Sequence, residues 1–239
     1  MTTTVFAYPT CPHCNKVFAA LDLLGQRYTI VHVNPISKSE LSWSADYKKV
    51  PIAEVGGKEY FGSDRIILAM EEKWRPFRRI AGGMGAEEYA KWNTFVDETL
   101  SRPLFCATSH TWSDALKYTA YVREMTSYPS YLRFVHHMIG TFFTRLGSRR
   151  ARKKYGLADP DEAVRKAIAE FLGTFGADGS RFHGGETPSL ADVLVFGTVR
   201  AVEGFGAVQG LLRSDEAFGK WFASMKEAVG ESACVQVSK

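Results

Sequence analysis

VFAYPTCPHCNKVFAALDLLG, residues 5–25, joins a run of β-formers to an amphipathic segment through a loop with two cysteines two residues apart. The recurrence of Cys14, Val17, Phe18, Leu21 and Leu24 puts an apolar stripe on a helix over 15–25, closed by Gly25. Residues 4–8 read as the strand before it. A strand that enters a helix through CPHC sets Cys11 against the unsatisfied N–H groups and positive dipole end of that helix. Those surroundings stabilise a thiolate, so Cys11 is the candidate nucleophile or redox thiol, with Cys14 set back on the buried stripe. A structural zinc site needs four ligands, and neither a second CxxC nor an HxxxH pair follows, so no metal is expected.

At 239 residues the chain suits one large or two modest domains, and 45% apolar with 23% charged residues is ordinary for a soluble globular protein. A net charge of +4, diffusely spread, gives no case for a nucleic-acid partner. Four cysteines in this length do not make a disulfide framework; Cys106 reads as a buried small residue and Cys234 as an idle thiol in a polar tail. The first Lys is Lys16, so no signal peptide is expected, and the longest apolar run, at 190–199, is broken by Asp192. A cytoplasmic, reducing setting is the expectation.

Further along, residues 28–33 form a second strand and 39–49 a short, poorly periodic helix. Residues 51–55 and 58–61 flank Gly56-Gly57, a two-residue hairpin signal. Ser63 then caps a helix carrying Ile66, Ile67, Met70 and Trp74. The order is β-α-β-α-β-β-α over residues 1–76. RPFRRIAGGMGAEE changes the character of the chain, and 77–86 reads as a linker. Residues 87–239 are helical, with helices around 92–100, 116–123, 131–145 and 161–175 and a fifth in TPSLADVLVFGTVRAVEGF, where Ser189 and Asp192 form an acidic capping box.

KVPI, at 49–52, opens a strand, with Val50 only 36 residues after Cys14. It resembles the cis-proline element of glutaredoxins and glutathione transferases, which implies a cis Val50-Pro51 bond. The periplasmic disulfide oxidants that share the CPHC loop carry a helical insertion before that proline, for which this spacing leaves no room. Val50 can pair through its main chain with a cysteinyl unit such as that of glutathione. Ser63, at a helix start, can hold a carboxylate, and Asp64 is available to an amino group.

A small α/β thioredoxin-like (glutaredoxin-like) domain followed by an all-α domain resembles the glutathione transferase superfamily. Within it, YPTCPHCNKVFAALD, VHVNPISKSELSWSADYKKVPI, GSDRIILAM and GGETPSLADVLVFGTVRAVEGF are most similar to the type 2 membrane-associated prostaglandin E synthases, a family that isomerises an endoperoxide, prostaglandin H2, to prostaglandin E2. The resemblance implies Cys11 as catalytic cysteine, Tyr8 as its hydrogen-bonding tyrosine and Cys14 as the second thiol. It implies glutathione contacts at His13, Val50, Pro51, Ser63 and Asp64, with glutathione and haem as the ligands some members bind. His13 stands where the family has an aromatic ring, and Gly62 where it has an acid, which gives the carboxylate role to Asp64. The fold implies a homodimer and an apolar small-molecule substrate, for which Phe105, Tyr118 and Tyr121 could line a cleft. A disulfide or thiol-transferase activity of the glutaredoxin kind, and a glutathione-dependent haem-binding role, are the competing readings. His110, His136 and His137 offer themselves as haem ligands, though helical histidines are more often structural. RLGSRRARKK, from Arg145 to Lys154, reads as a solvated helix end or a contact with anionic lipid.

Overall fold

The computed structural model describes residues 3–73, 84–176 and 179–238. β1 (Thr3–Ala7), α1 (Pro12–Leu23) and β2 (Tyr28–His32) form a parallel β-α-β unit, with Val5 opposite Ile30. β3 (Ile52–Val55) runs antiparallel to β1 and turns into β4 (Lys58–Phe61), which leads to α2 (Ser63–Lys73). The Gly56-Gly57 turn has φ of 59° and 78°, the left-handed pair that a tight hairpin requires. Trp74 of the expected α2 stripe, and 77–83 of the expected linker, lie outside the described residues.

Three local expectations are corrected. Residues 39–49 contain only a 3-10 turn, Ser39–Leu41. Side chains satisfy the backbone there in place of a helix: the Lys48 ammonium donates to the Leu41 carbonyl at 2.7 Å and the Ser44 hydroxyl to the Tyr47 carbonyl at 2.8 Å. The cap of α2 is Gly62 and not Ser63, since the Ile66 N–H donates to the Gly62 carbonyl and Gly62 has φ 87°. An acidic residue at that position would carry a left-handed backbone, which glycine tolerates best. Third, Cys234 opens β5 (Cys234–Ser238), which pairs parallel to β2, so the sheet order is β4-β3-β1-β2-β5.

The helical region begins with α3 (Ala86–Thr94), which passes through a π-helical turn (Phe95–Ser101) into α4 (Arg102–Ala107). α5 (Trp112–Thr119) ends in a 3-10 turn (Ala120–Glu124). α6 (Ser130–Tyr155) is longer than its apolar period implies and takes in the basic run, stopping at Gly156 in the left-handed region. α7 (Pro160–Leu172) and α8 (Leu190–Arg200) match expected helices, whereas α9 (Gly206–Ser214) and α10 (Glu216–Val229) add two. The capping box of α8 forms as expected: Ser189 N–H donates to Asp192 Oδ2 at 2.8 Å, and the Asp192 N–H to Ser189 Oγ.

α1 is buried almost all round, from Cys14 to Asp22, because the sheet covers one side and α8 the other. Leu190, Val193, Leu194 and Phe196 of α8 join Val17, Phe18 and Leu21 of α1 in one continuous core. Lys16 and Asp22 are among the polar side chains of α1 enclosed with them. Asp22 accepts from Arg200, Tyr28 and Ser232 side chains and from the Ala233 N–H, joining α1, α8, β2 and the approach to β5. On the other face of the sheet, Val33, Leu41 and Ile52 pack with Phe6, Tyr8, Tyr47 and Phe61.

Candidate active site

Cys11 holds the N-cap position of α1 with extended backbone, and its carbonyl accepts the Asn15 N–H that starts the helix. Its own N–H donates to the Tyr8 carbonyl at 3.1 Å, which closes the loop. Asn15, a buried residue that sequence reasoning passed over, donates its amide to the Pro9 and Cys11 carbonyls at 2.7 and 3.1 Å and ties the loop to the first helical turn.

Cys11 and Cys14 carry free thiols, Cys11 half-buried and Cys14 buried. The Cys14 S–H donates to the Cys11 sulfur, and against the opposing effect of burial this bond, with the main-chain N–H groups of Cys14 and His13 and the charge of Lys16, holds Cys11 below the ordinary thiol range. Burial and the bond to Cys11 push Cys14 well above it. The two thiols are thus shifted in opposite directions, Cys11 downward and Cys14 upward. Burial, together with charge on Cys11, pushes the Tyr8 hydroxyl up to about 12, so it stays protonated. The link shown between Tyr8 and Cys11 is through main chain; the Tyr8 ring lies 6.3 Å from that of Tyr121.

The Val50-Pro51 bond is cis, and the Pro51 carbonyl accepts from the Gly62 N–H at 3.0 Å. This bond brings the start of α2 beside the cis element. Ser63 is buried, with its hydroxyl 3.3 Å from a carboxylate oxygen of exposed Asp64. His13 is half-exposed, lowered in pKa by burial and by Lys16, with Asp97 and Asp64 opposing. Cys11, His13, Val50, Pro51, Ser63 and Asp64 therefore gather where the first turns of α1 and α2 meet the start of β3. Tyr47 borders them: burial and the cysteines raise its hydroxyl pKa, and it lines a groove of about 520 Å³ with Trp43, Glu59, Phe61 and Arg65.

Tyr118 and Tyr121 stand beside this site but are packed in place. The Tyr118 carbonyl accepts from Thr10 at 3.0 Å, its hydroxyl meets Thr108 at 2.5 Å, and its ring lies between Phe105 and Phe205. Tyr121 donates to the Val33 carbonyl at 3.1 Å. A separate cavity of about 300 Å³, lined by Leu104, Val164, Val208 and Leu211 with Asp161 and Arg165, belongs to the helical region. His110, His136 and His137 turn Nδ1 to Ala107, Asn34 and Thr119, all structural contacts. Cys106 is buried, as its sequence context implies. Among the described residues no cluster of three or more His, Cys, Asp or Glu could hold a metal ion, and no helix is long and apolar enough to cross a membrane.

Residues 5–76 match the family described as glutathione S-transferase, N-terminal domain. The whole chain superposes on a glutathione transferase from Phanerochaete chrysosporium with a TM-score of 0.67 at 12% identity, covering 97% of this chain and 98% of that one. A glutathione S-transferase of Ceriporiopsis subvermispora, solved in complex with glutathione, gives 0.65 at 13% identity, with 96% and 98% covered. The chain thus shares the glutathione transferase fold, and its N-terminal segment matches that family's N-terminal domain. Within that class it is similar to prostaglandin E synthase 2 of Danio rerio, 26% identical over 94% of this chain and 70% of that protein. Its counterpart in Mus musculus is 25% identical over 97% and 71%.

Proposed function

We propose that the chain is a glutathione-binding thiol enzyme that isomerises an endoperoxide of the prostaglandin H2 class to a hydroxyketone of the prostaglandin E2 class. The observation that carries this reading is the asymmetric thiol pair at the cap of α1, beside the cis Val50-Pro51 bond, in a chain similar to prostaglandin E synthase 2. Glutathione would lie along the Val50 main chain, with Ser63 and the first turn of α2 toward its carboxylate and Asp64 toward its amino group. His13 and Pro51 would flank it.

The Cys11 thiolate attacks one endoperoxide oxygen and the O–O bond breaks; the released oxygen takes up a proton and becomes the hydroxyl. Loss of the proton from the carbon bearing the sulfur-bound oxygen breaks the S–O bond, giving the ketone and regenerating thiolate. The peroxide is reduced and the carbon oxidised within one molecule, so no outside oxidant or reductant takes part. Cys14 supports the thiolate as a hydrogen-bond donor, and Tyr8 stays neutral beside it. Turnover of prostaglandin H2 by the full chain tests this: Cys11→Ser abolishes it while calorimetric glutathione binding persists. A chain that neither binds glutathione nor turns over the endoperoxide overturns the reading.

A second reading, a thiol transferase or disulfide reductase of the glutaredoxin kind, is favoured by the Cys14 S–H to Cys11 contact, since that pair can close to a disulfide. Glutathione–disulfide exchange that survives Cys11→Ser would exclude it. Haem is not carried into the reading, because the His110, His136 and His137 side chains serve structural contacts and not the Cys11 site.

We read the partners as a second copy of the chain and an anionic lipid surface. Tyr131, Phe134, Val135, Met138 and Phe142 leave an exposed apolar stripe on α6, and Arg149 and Lys153 continue the same face toward its C-terminus.

A further inference from the structure

Lys16 is fully buried, on α1 two residues past Cys14. An unpaired ammonium there would carry a heavy desolvation cost. Its partners come from far along the chain: Asn93 Oδ1 of α3 at 3.1 Å, and the Asp97 carboxylate of the π-helical turn. The same Asp97 oxygen lies 3.6 Å from His13 Nδ1, at the mouth of the site. A π-turn shifts side chains out of α-helical register and recurs at functional sites. Here it places one carboxylate against both the second residue after Cys11 and the enclosed cation behind it.

We propose that Lys16 and Asp97 are positioning residues for the thiol: Lys16 is a fixed buried counter-charge behind Cys11, and Asp97 anchors both that charge and the His13 ring at the rim. The helical region then has a direct hold on thiol reactivity through one carboxylate, beyond any role in shaping a substrate pocket. The inference rests on Cys11 being a reactive thiolate, as proposed above. The groups that face Cys11 are Tyr8, His13, Cys14, Lys16, Tyr47, Tyr118 and Tyr121; those that face His13 are Lys16, Asp97 and Asp64. Among them Lys16 is the cation enclosed next to the thiol, so its removal has a definite sign.

The test is the pH profile of Cys11 alkylation by iodoacetamide in the reduced full chain, read by mass spectrometry, with His13 titrated by NMR in the same variants. Lys16→Met moves the Cys11 profile to higher pH, slowing alkylation about three- to tenfold below the thiol's own pKa, and moves the His13 titration upward. Asp97→Asn moves His13 the opposite way, downward. Opposite shifts on one imidazole are not produced by loosened packing. Profiles and titrations that stay in place while only the thermal midpoint falls overturn the inference. Should Lys16→Met not fold, the His13 shift in Asp97→Asn, at a position partly open to solvent, decides the matter. An ordinary thiol profile in the unaltered chain overturns the functional reading instead, so the two failures are distinguishable.

Discussion

The main chain of Lys16 lies hard against Gly197: a Cβ on Gly197 would sit 2.6 Å from the Lys16 Cα and 2.7 Å from its nitrogen. No side chain fits between α1 and α8 at this crossing, because the atoms it would meet are backbone of Asn15 and Lys16, which cannot swing aside. In an open helix, Gly→Ala stabilises by roughly 1 kcal/mol. Here Gly197→Ala reverses that sign and destabilises by about 3 kcal/mol, as overpacking of a closed contact does. Urea unfolding followed by tryptophan fluorescence measures it; a neutral or stabilised variant would show that the two helices separate freely.

Asp192 is enclosed and holds more than its own helix. It accepts from Ser189 N–H and hydroxyl, from the His183 N–H at 3.0 Å and from the Trp221 indole at 2.9 Å. Asp192→Ala strands these donors and is expected to destabilise by about 3 kcal/mol or more, well above the loss of a simple cap. Equilibrium unfolding should also report a changed Trp221 environment in the native baseline.

Acidity at Cys11 has a stability consequence as well as a kinetic one. Its folded pKa lies below the unfolded value, so its contribution is complete above the unfolded thiol pKa and is lost as pH falls through the folded one. Cys14, pushed upward, remains a thiol over that window. The stability of the reduced chain relative to Cys11→Ser therefore climbs with pH up to about 8.5–9. A flat difference between the two urea midpoints would rule the depressed thiol out.

The cationic end of α6 gives a salt-dependent expectation. Seven of the chain's 30 Lys and Arg fall on this helix and none of its 26 Asp and Glu. Binding to vesicles rich in anionic lipid should weaken about tenfold or more in Arg149→Glu/Lys153→Glu, at about 1 kcal/mol per surface charge, and fade with added salt. Co-sedimentation that is the same on neutral vesicles would remove lipid from the partners. Sedimentation velocity with Phe134→Glu reads the second-copy contact independently.

What could be read in the sequence was what is decided locally. The Cys11 cap, the Gly56-Gly57 hairpin and the Ser189–Asp192 box each carry their geometry in a few adjacent residues. Lys16 could not be read this way: a lysine on an amphipathic stretch looks like a solvated one, and its burial depends on Asn93 and Asp97, some eighty positions later. Residues 39–49 were misleading for the opposite reason. Their composition suits a helix, but Ser44 and Lys48 offer the backbone side-chain partners that no periodicity reveals. The aromatic set Phe105, Tyr118 and Tyr121 was placed near the site, yet only the packing shows Tyr118 wedged between two rings.

β5 sets the order in which this molecule can finish itself. Its partner strand β2 leaves the ribosome early, with an open edge, and stays without its neighbour until about two hundred further residues have been made. Through that interval the Asp22 carboxylate lacks the Ala233 N–H and the Ser232 hydroxyl that later meet it. A nascent chain arrested before residue 232 should thus expose a protease-sensitive, aggregation-prone β2 edge that release of the completed chain protects.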